Sequence, residues 1–460
     1  MIEAKAFQNR VLMRNGKMGE DACEIMAAAI QAVEPYQCIC DFLSASSEKM
    51  RVGQQSVGIK RYQRVFLIGF GKAAVPMAKA VIDIFGTRLT QASVITKDRS
   101  FLSEDGYQGV LRVHLGGHPV PNEDSINSTR SLLQSLPKLT HRDLVLVVVS
   151  GGGSALFTDP MNGISLDDLQ KMTETLLKCG ADIHEINTLR KHLDRVKGGQ
   201  LALQLQPADI HTFILSDVIG DSLGMIASGP TITDSTSYGD ALAIIKKYHI
   251  RGEIPRSILE RFEDGASDKI PETLKIGDIP SGKLTNHLVG SNSKALLAAK
   301  EKAKSLGYET KVMSSELTGL TEIVAGFIEG IIQKELSVKK SGGQPICLLF
   351  GGEPTVKVTG NGKGGRNQDL VLRLVQRLAE IEGVLFISLA TDGEDGPTDA
   401  AGAASDVLVH REGTVVKGLD VITDINTNNA YRYLDETGAL IRTGSTGTNV
   451  NDLVLILIRA

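Results

Sequence analysis

The stretch that decides the fold is VFLIGFGKAAVPMAKAV, residues 65–81. An apolar run of strand length passes through the turn GFGKAA (69–74) into an alanine-rich helical segment. The letters G-x-G-x-x-A are those of a dinucleotide-binding fingerprint, in which a strand, a tight turn and a helix follow one another. Lys72, however, lies inside the glycine turn, where a pyrophosphate needs close approach of the backbone. The stretch therefore predicts a strand–turn–helix unit and leaves open whether the anion that it binds belongs to a dinucleotide.

The composition is that of a soluble globular protein with more than one domain. The 460 residues, 42% hydrophobic and 23% charged, are enough for two or three domains. A net charge of −4 gives no overall attraction to nucleic acid or to an anionic membrane, so neither is expected as a partner. The five cysteines lack zinc spacing, no apolar run reaches the roughly 18 residues of a membrane helix, and no apolar signal region opens the chain. These features predict a cytoplasmic protein.

Apolar runs rich in β-branched residues alternate with helical stretches along the chain. The predicted strands are Val65–Ile68, Ala92–Thr96, Leu144–Val149, Thr212–Leu215, His287–Val289, Thr310–Met313, Ile346–Phe350, Leu385–Ala390 and Leu453–Ile458. Continuous apolar runs suit parallel strands that are covered on both faces. The pattern predicts an α/β protein of two three-layer α/β/α domains with mostly parallel sheets, the N-terminal one Rossmann-like.

The best candidate for a domain boundary is the stretch 251–284, which is rich in proline, glycine and charge and contains no strong strand. We expect an N-terminal Rossmann-like domain over 1–250, a linker over 251–284 and a C-terminal α/β domain over 285–460. A cleft between two domains is a common place for a ligand.

Glycine together with lysine, serine or a carboxylate follows five of the predicted strands. In open α/β sheets ligands bind beyond the carboxyl ends of the strands. The five segments are GFGKAA (69–74), SGGGSAL (150–156), SDVIGD (216–221), GGEPT (351–355) and TDGEDG (391–396). In the second of these, backbone N–H groups without side chains, flanked by two hydroxyls, form a nest of the kind that binds phosphate or carboxylate. The alternative is a flexible turn.

Two further segments carry cations that suit an anionic ligand. HEINTLRKHLDRVKGGQLA (184–202) predicts one helix over 184–205, with Asn187, Lys191 and Asp194 on a polar face beside Arg190. A solvated surface helix is the alternative. TGNGKGGRNQD (359–369) delivers Arg366 at the start of an amphipathic helix, where a guanidinium and free N–H groups together suit a phosphoryl group or a carboxylate.

Acidic residues at the strand ends are candidate ligands for a metal ion. They are Asp217, Asp221, Glu353, Asp392 and Asp395. Phosphoryl transfer uses Mg²⁺ held by one or two carboxylates and by the phosphates of the nucleotide. Each residue alone is as well explained by a turn or a helix cap. The H-x-x-x-H spacing of His114 and His118 spans Leu-Gly-Gly and is treated as chance.

Eight blocks together resemble the class II glycerate kinases with a C-terminal MOFRL domain. The blocks are GFGKAA, GGHPVPNEDS, SGGGSALF, INTLRKHLDRVKGGQLA, SDVIGD followed by IASGPT, GGEPTVKVTGNGKGGRNQDL, ATDGEDGPTDAAGA and TGTNVNDL. They occur in matching order from about Ala22 to the end of the chain. Departures are Asp194, where many relatives have a small hydroxyl residue, and Ile219, where proline is common.

The resemblance implies ATP-dependent, Mg²⁺-requiring phosphorylation of D-glycerate at the 2-hydroxyl to give 2-phosphoglycerate, in a cleft between the two domains. It implies a site that includes Lys72 and Arg366, which we predict to be the catalytic residues. Among the strand-end carboxylates described above, we predict Asp217 and Asp392 as the metal ligands. The residues expected to bind nucleotide or phosphate are Gly69, Gly71, Ser150, Gly151, Gly152, Gly153, Ser154, Gly364 and Gly365. Those expected to bind the substrate are Asn187, Arg190, Lys191 and Asn367.

Two other functions are weighed against the kinase. An NAD(P)H-dependent hydroxypyruvate reductase needs an acidic residue at the end of the next strand, where this chain has Lys97 and then Asp98. A non-catalytic phosphosugar-binding module leaves the C-terminal glycine, arginine and aspartate loops without a function. The kinase interpretation uses all of these loops. The oligomeric state is not determined by the sequence, and a homodimer stays open.

Overall fold

All nine predicted strands are present in the computed structural model, which describes residues 2–338 and 343–459. The strands are β1 (Leu43–Ala45), β2 (Lys49–Val52), β3 (Gln55–Gly58), β4 (Arg64–Phe70), β5 (Leu89–Thr96), β6 (Leu111–Leu115), β7 (Asp143–Val149), β8 (Asp209–Leu215), β9 (Leu284–Gly290), β10 (Glu309–Leu317), β11 (Ile346–Gly352), β12 (Val384–Ala390), β13 (Gly402–Ser405), β14 (Leu440–Ile441) and β15 (Asp452–Ile458).

Helices separate most of these strands, as the alternating pattern predicts. They are α1 (Arg10–Arg14), α2 (Lys17–Gln31), α3 (Pro35–Phe42), α4 (Ala74–Phe85), α5 (Glu123–Ser135), α6 (Gly153–Leu156), α7 (Leu166–Cys179), α8 (Ile183–His192), α9 (Gln200–Gln204), α10 (Tyr238–Lys247), α11 (Arg256–Ala266), α12 (Asn292–Ser305), α13 (Thr321–Val338), α14 (Arg366–Arg377), α15 (Val407–His410), α16 (Val421–Asn426) and α17 (Ala430–Glu436). Within the described ranges, no helix combines the length and the apolar character that a membrane span requires. The alternation of strands and helices along the chain confirms the predicted α/β class.

The chain forms two units, and one of them is made of two separate segments. Residues Pro35–Val289 form what we call the middle unit. Met1–Glu34 and Gly290–Ala460 together form what we call the split unit. Within the split unit, α2 is tied to the region of α12 by a hydrogen bond of 3.0 Å from the Tyr308 hydroxyl to Asp21.

The middle unit contains a six-stranded sheet in the order β6-β5-β4-β7-β8-β9. Strand β4 pairs in parallel with β5 on one side and with β7 on the other. All seven residues of β7 are buried, as expected for a strand covered on both faces. The register places Phe70 opposite Val149, so the loops that follow β4 and β7 begin side by side.

A second core of the middle unit lies among its helices. Buried apolar side chains of α7, α8, α10 and α11 form one cluster, which includes Met172, Leu189, Tyr238 and Phe262. The segment 251–284 thus contributes α11 to this core, whereas the sequence predicted a linker. Ile258 and Phe262 in this segment lie at helical spacing and are fully buried. The proline, glycine and charged residues around them made the segment resemble a linker.

The split unit contains a mixed sheet in the order β10-β11-β15-β12-β13-β14. Strands β10 and β11 are parallel, but β15 runs antiparallel between β11 and β12. The parallel pairing expected from continuous apolar runs therefore holds for β4 to β8 of the middle unit and not for most of this sheet. All seven residues of β15 are buried, and burial on both faces gives the same apolar run in either direction.

The long helix predicted over 184–205 is interrupted. Helix α8 ends at His192, and α9 begins only at Gln200. Gly198 and Gly199 between them have φ angles of +56° and +79°, in the left-handed region that glycine enters readily. Asp194 consequently lies in the connecting loop and not on a helical face with Asn187.

Two histidines at the edge of the middle sheet form a neutral pair. His211 Nδ1 and His287 Nε2 lie 3.0 Å apart, so the N–H of one ring donates a hydrogen bond to the nitrogen of the other. Burial, with a smaller contribution from His211, lowers the pKa of His287 to about 4, and burial also lowers the pKa of His211. Protonating the accepting nitrogen would place two N–H donors face to face and break this hydrogen bond.

This pair should make the stability of the middle unit depend on pH. Because the folded-state pKa values lie below those of the unfolded chain, the unfolded state binds more protons as the pH falls from about 6.5 to about 4. We expect the melting temperature of the middle unit, measured by calorimetry, to fall as the pH is lowered from about 6.5 to about 4. His287→Gln should give a shallower dependence, and exchange of the exposed His141 for Gln should give the wild-type dependence. Equal slopes for all three proteins would contradict the assignment.

Candidate functional site

The loops that follow β4 and β7 are joined by hydrogen bonds. The backbone N–H of Lys72 donates to the Gly151 carbonyl at 2.9 Å, and the N–H of Ala73 donates to Ser150 Oγ at 2.9 Å. Gly71 has a φ of +125°, and a Cβ atom there would lie 2.3 Å from Ser150 Oγ. The close approach of the two loops therefore requires glycine at position 71, and the buried Ser150 hydroxyl fastens the loops together.

The glycines of these loops have different environments. Gly69 lies inside β4, where a Cβ atom would lie 2.4 Å from Val148 Cγ2, so its small size allows the strands to pack. Gly153 begins α6, and a Cβ atom there would lie 2.7 Å from the Cβ of Ala227. Gly152 has a φ of +82°. For the N–H groups of Gly151 and Gly152 we find no acceptor in the described part of the chain. The open donors of the predicted nest are thus at these two residues.

Two side chains with proton-binding groups border the nest. A Cβ atom on Gly151 would lie 1.9 Å from Asp217 Oδ2, and one on Gly152 would lie 2.9 Å from the His118 ring. The same position on Gly152 lies 3.4 Å from Lys72 Cγ. The structure thus brings Lys72, His118 and Asp217 to the same stretch of backbone.

His118 is a site residue that the sequence interpretation missed. Burial, together with the positive charges of Lys72 and Lys97, lowers its pKa to about 4, so its imidazole is neutral at neutral pH. The H-x-x-x-H spacing is indeed uninformative. The useful signal is the place of His118 in the block GGHPVPNEDS. The two prolines that follow it, Pro119 and Pro121, line a cavity together with Ser154.

A chain of hydroxyls connects the nest to α8. Ser228 Oγ donates to Asn187 Oδ1 at 3.0 Å, and Ser154 Oγ lies 2.9 Å from Ser228 Oγ. Because the single hydroxyl proton of Ser228 is used, the Ser154 hydroxyl is the donor in the second contact. Asn187 is buried and positions this chain. Its side chain is linked to Ser154 through Ser228, and its part in substrate binding stays a prediction.

The cationic residues of the interrupted helix go to separate places. Lys191 is buried and makes an ion pair of 3.1 Å with Asp234. Lys197, also buried, pairs with Asp194 at 2.5 Å, and Thr158 donates a further hydrogen bond to the same carboxylate. Arg190 lines a cavity of about 610 Å³ next to Ser154. Of the predicted substrate cations of α8, only Arg190 faces this cavity.

In the split unit, Arg366 is held by two carboxylates. Its Nε and Nη2 atoms donate to Asp452 at 2.6 and 3.0 Å, and Nη1 donates to Glu353 at 2.7 Å. Burial raises the pKa of Asp452 to about 7, although Arg366 acts in the opposite direction. The bidentate pair fixes the orientation of the guanidinium. Three of its five N–H groups are used, and two remain.

The N-terminus of α14 is occupied by a carboxylate of the chain itself. The N–H groups of Asn367 and Gln368 donate to Asp395 at 3.1 and 2.9 Å. A Cβ atom on Gly365 would lie 2.3 Å from Asp395, so this glycine admits the capping carboxylate. Asn367 is buried and accepts a hydrogen bond from Ser388. The structure therefore uses these donors internally, whereas the sequence predicted that they bind an anion.

Gly364, the other glycine predicted to bind phosphate in this loop, is less crowded than Gly365. A Cβ atom on Gly364 would lie 3.4 Å from the Cβ of Ala430, which is an ordinary van der Waals contact. Its surroundings therefore do not demand glycine, and its assignment to phosphate binding stays a prediction.

Neither predicted metal ligand belongs to a cluster of protein ligands. No group of three or more histidine, cysteine or acidic residues suited to a metal exists among residues 2–338 and 343–459. Asp217 borders the glycine nest, while Asp392 accepts a hydrogen bond of 3.1 Å from the Glu394 N–H within its own turn. Mg²⁺ in phosphoryl transfer takes one or two carboxylates and completes its shell with phosphate oxygens and water. A single carboxylate beside a phosphate nest, as at Asp217, fits that requirement.

Two family models match the chain. The domain of unknown function DUF4147 matches residues 21–263, and the MOFRL family matches residues 346–452.

Relatives and solved structures match nearly the full length. The chain is 38% identical to a glycerate 2-kinase of Pyrococcus horikoshii, over 95% of this chain and 97% of the relative. It is 38% identical to a D-glycerate 2-kinase of Thermotoga maritima, over 95% and 97%. A crystal structure of a glycerate kinase (EC 2.7.1.31) from Thermotoga maritima superposes with a TM-score of 0.83 at 37% identity, over 96% of this chain and 99% of that one.

Exchange of Gly152 for Val tests the nest. The left-handed φ of Gly152 strains a β-branched residue, and its side chain would collide with His118. We expect at least tenfold weaker binding of inorganic phosphate or pyrophosphate in calorimetric titration, with circular dichroism unchanged. Gly163→Val, at a surface turn of similar φ with open space around it, controls for backbone strain. Wild-type anion affinity in Gly152→Val would show that the loop is only a turn.

Removal of Arg366 should destabilise the split unit. Arg366→Ala leaves the buried Asp452 carboxylate without its cation, a change that typically costs about 3–5 kcal/mol of folding free energy. We expect a lower melting temperature, recovered in large part by the double variant Arg366→Ala/Asp452→Asn. Arg411→Ala, which removes an exposed arginine of the same unit, is the matched control and should melt like the wild type. An Arg366→Ala protein that melts like the wild type would show that the pair does not support the fold.

Proposed function

The chain belongs to the glycerate kinase family, and on that basis we propose that it transfers a phosphoryl group from ATP to the 2-hydroxyl of D-glycerate. The resemblance found in the eight sequence blocks is thereby confirmed at the level of the family. The glycerate kinase activity follows from the full-length match, and the position of transfer and the ATP donor are our proposal. The product would be 2-phosphoglycerate.

The observation that carries the proposal is the position of Lys72 against the glycine nest. Its backbone is fastened to Gly151, and its side chain passes along Gly152, whose N–H group is open. No ion pair to Lys72 is found within the described residues. An ammonium group and open N–H groups that are held in place need no reorganisation when negative charge develops on a phosphoryl oxygen. We assign Lys72 to that charge.

Asp217 supports the same chemistry from the other side of the nest. Its carboxylate reaches the backbone of Gly151, where a phosphate bound by the nest would lie. We propose that Asp217 contributes one ligand to Mg²⁺. The ion, when bound, neutralises phosphate charge. His118, neutral and next to Lys72, adds no positive charge that would compete for the phosphate.

In the split unit, Arg366 is the residue that we propose to stabilise negative charge on the phosphoryl group during its transfer. Asp452 and Glu353 orient its guanidinium and leave two N–H groups for an anion. Asn367 bonds to Ser388 and Asp395, and Lys191 makes an ion pair with Asp234, so we assign both residues positioning roles. Removing an arginine that stabilises a transferring phosphoryl group costs on the order of 10³-fold in rate.

A coupled assay tests the proposal. Purified protein with ATP, Mg²⁺ and D-glycerate should form 2-phosphoglycerate. A coupling enzyme that consumes 2-phosphoglycerate distinguishes this product from 3-phosphoglycerate. Lys72→Ala should lower kcat by at least 10²-fold, because the variant lacks the preorganised charge. Lys178→Ala, which removes an exposed lysine of α7, should retain wild-type kcat. Oxidation of NADH with hydroxypyruvate, without ATP, would favour the reductase and overturn the proposal.

A further inference from the structure

We propose that the cavity beside Ser154 binds the nucleoside and the first phosphates of the phosphoryl donor, an inference that rests on the proposed kinase function. The cavity lies wholly within the middle unit, between α7, α8 and the residues that follow His118. Its volume of about 610 Å³ falls within the range of small-molecule sites. The sequence assigns Arg190, at this cavity, to the acidic substrate, and the structure points to a different ligand for it.

The lining of the cavity has an apolar side that a short sugar acid would not use. Val120, Pro121, Met172 and Leu177 contribute to it. Val120 and Leu177 are exposed over 57% and 62% of their surface although they are apolar. D-Glycerate has three carbons, each bearing oxygen, and offers no apolar face. A purine base offers two flat apolar faces, and its burial would remove these side chains from water.

Arg190, which also lines the cavity, is a cation for which we find no ion pair among the described residues. Arg190 is partly buried, and burial lowers its pKa. Among the described residues we find no acceptor for its N–H groups, and the nearby Asp194 carboxylate is taken by Lys197 and Thr158. A buried charge without a partner is costly. Its planar fork of donors matches a phosphate, which would supply the missing charge.

The cavity reaches α6, the short helix that directly follows the glycine nest. Ser154 and Ala155 line it, and Ser154 follows Gly152 by two residues. The backbone of Gly152 in turn lies against the side chain of Lys72. A chain of phosphates that begins at Arg190 would therefore pass Ser154 and end at Lys72. This order places the base at the apolar side and the terminal phosphate at the residue that we assign to transfer.

The competing assignment is that Arg190 binds the carboxylate of D-glycerate. Both ligands are anions, so the guanidinium alone does not separate them. The apolar side of the cavity does, because only a nucleotide depends on it. A test must therefore alter the cation and the apolar side separately, and must measure binding of each ligand without relying on turnover.

The first arm of the test changes the cation. Binding of the non-hydrolysable donor AMP-PNP with Mg²⁺, and of D-glycerate, is measured by titration calorimetry on the full chain. Arg190→Ala should weaken AMP-PNP by about 10- to 100-fold, the value of one or two hydrogen bonds to a charged group, and change the affinity for D-glycerate less than twofold. Arg256→Ala, which removes an arginine whose side chain is 91% exposed in the same unit, should match the wild type.

The second arm changes the apolar side at Val120, which is exposed over 57% of its surface. Val120→Trp should narrow the cavity, weaken AMP-PNP at least tenfold and leave the affinity for inorganic tripolyphosphate unchanged, because tripolyphosphate has no base. Wild-type AMP-PNP affinity in both variants, no AMP-PNP binding by the wild type, or an effect of Arg190→Ala confined to D-glycerate would each overturn the inference.

The outcome also separates this inference from the proposed function. Binding of AMP-PNP that depends on Arg190 and Val120, in a protein that forms no 2-phosphoglycerate, would remove the glycerate assignment and keep the nucleotide site. Formation of 2-phosphoglycerate with an unaltered KM for ATP in both variants would keep the function and remove the site.

Discussion

The candidate site depends on the junction between two glycine loops. Parallel pairing in register brings the ends of β4 and β7 together, and Gly71 lets the loops touch. The hydrogen bonds of Lys72 and Ala73 to Gly151 and Ser150 then hold them. With the loops tied in this way, the N–H groups of the nest stay open and the lysine is directed along it. A side chain at position 71 would separate the loops and release both features.

The sequence predicts the loops of the site well and their partners poorly. The glycine turns follow directly from strand-length apolar runs, because a ligand site at a strand end needs close backbone approach. The partners depend on contacts between distant segments. Local spacing does not show that Lys191 is used by Asp234, that Asp395 caps α14, or that His118 lies beside Gly152. A cation in a promising motif is informative only when its carboxylate neighbours are known.

The fold divides in the same way between local and distant information. Apolar runs predict nine strands, but burial on both faces is the same for either direction of β15, so its antiparallel pairing had no local signature. The short strands β13 and β14 and the meander of β1 to β3 lack such runs. The first 34 residues gave no sign that they belong with Gly290–Ala460, since that assignment rests on packing such as that of Tyr308 on Asp21.

The split unit has a consequence for the order in which the chain can acquire its structure. Contacts between α2 and the region of α12 close a loop that contains the whole middle unit. The entropy of closing a loop rises with the length of disordered chain within it, so closure is easier once residues 35–289 have already collapsed. Strand β15 must also insert between β11 and β12 before that sheet is complete. Such non-local pairing is slow. Assembly therefore favours early folding of the middle unit, with the split unit completed later.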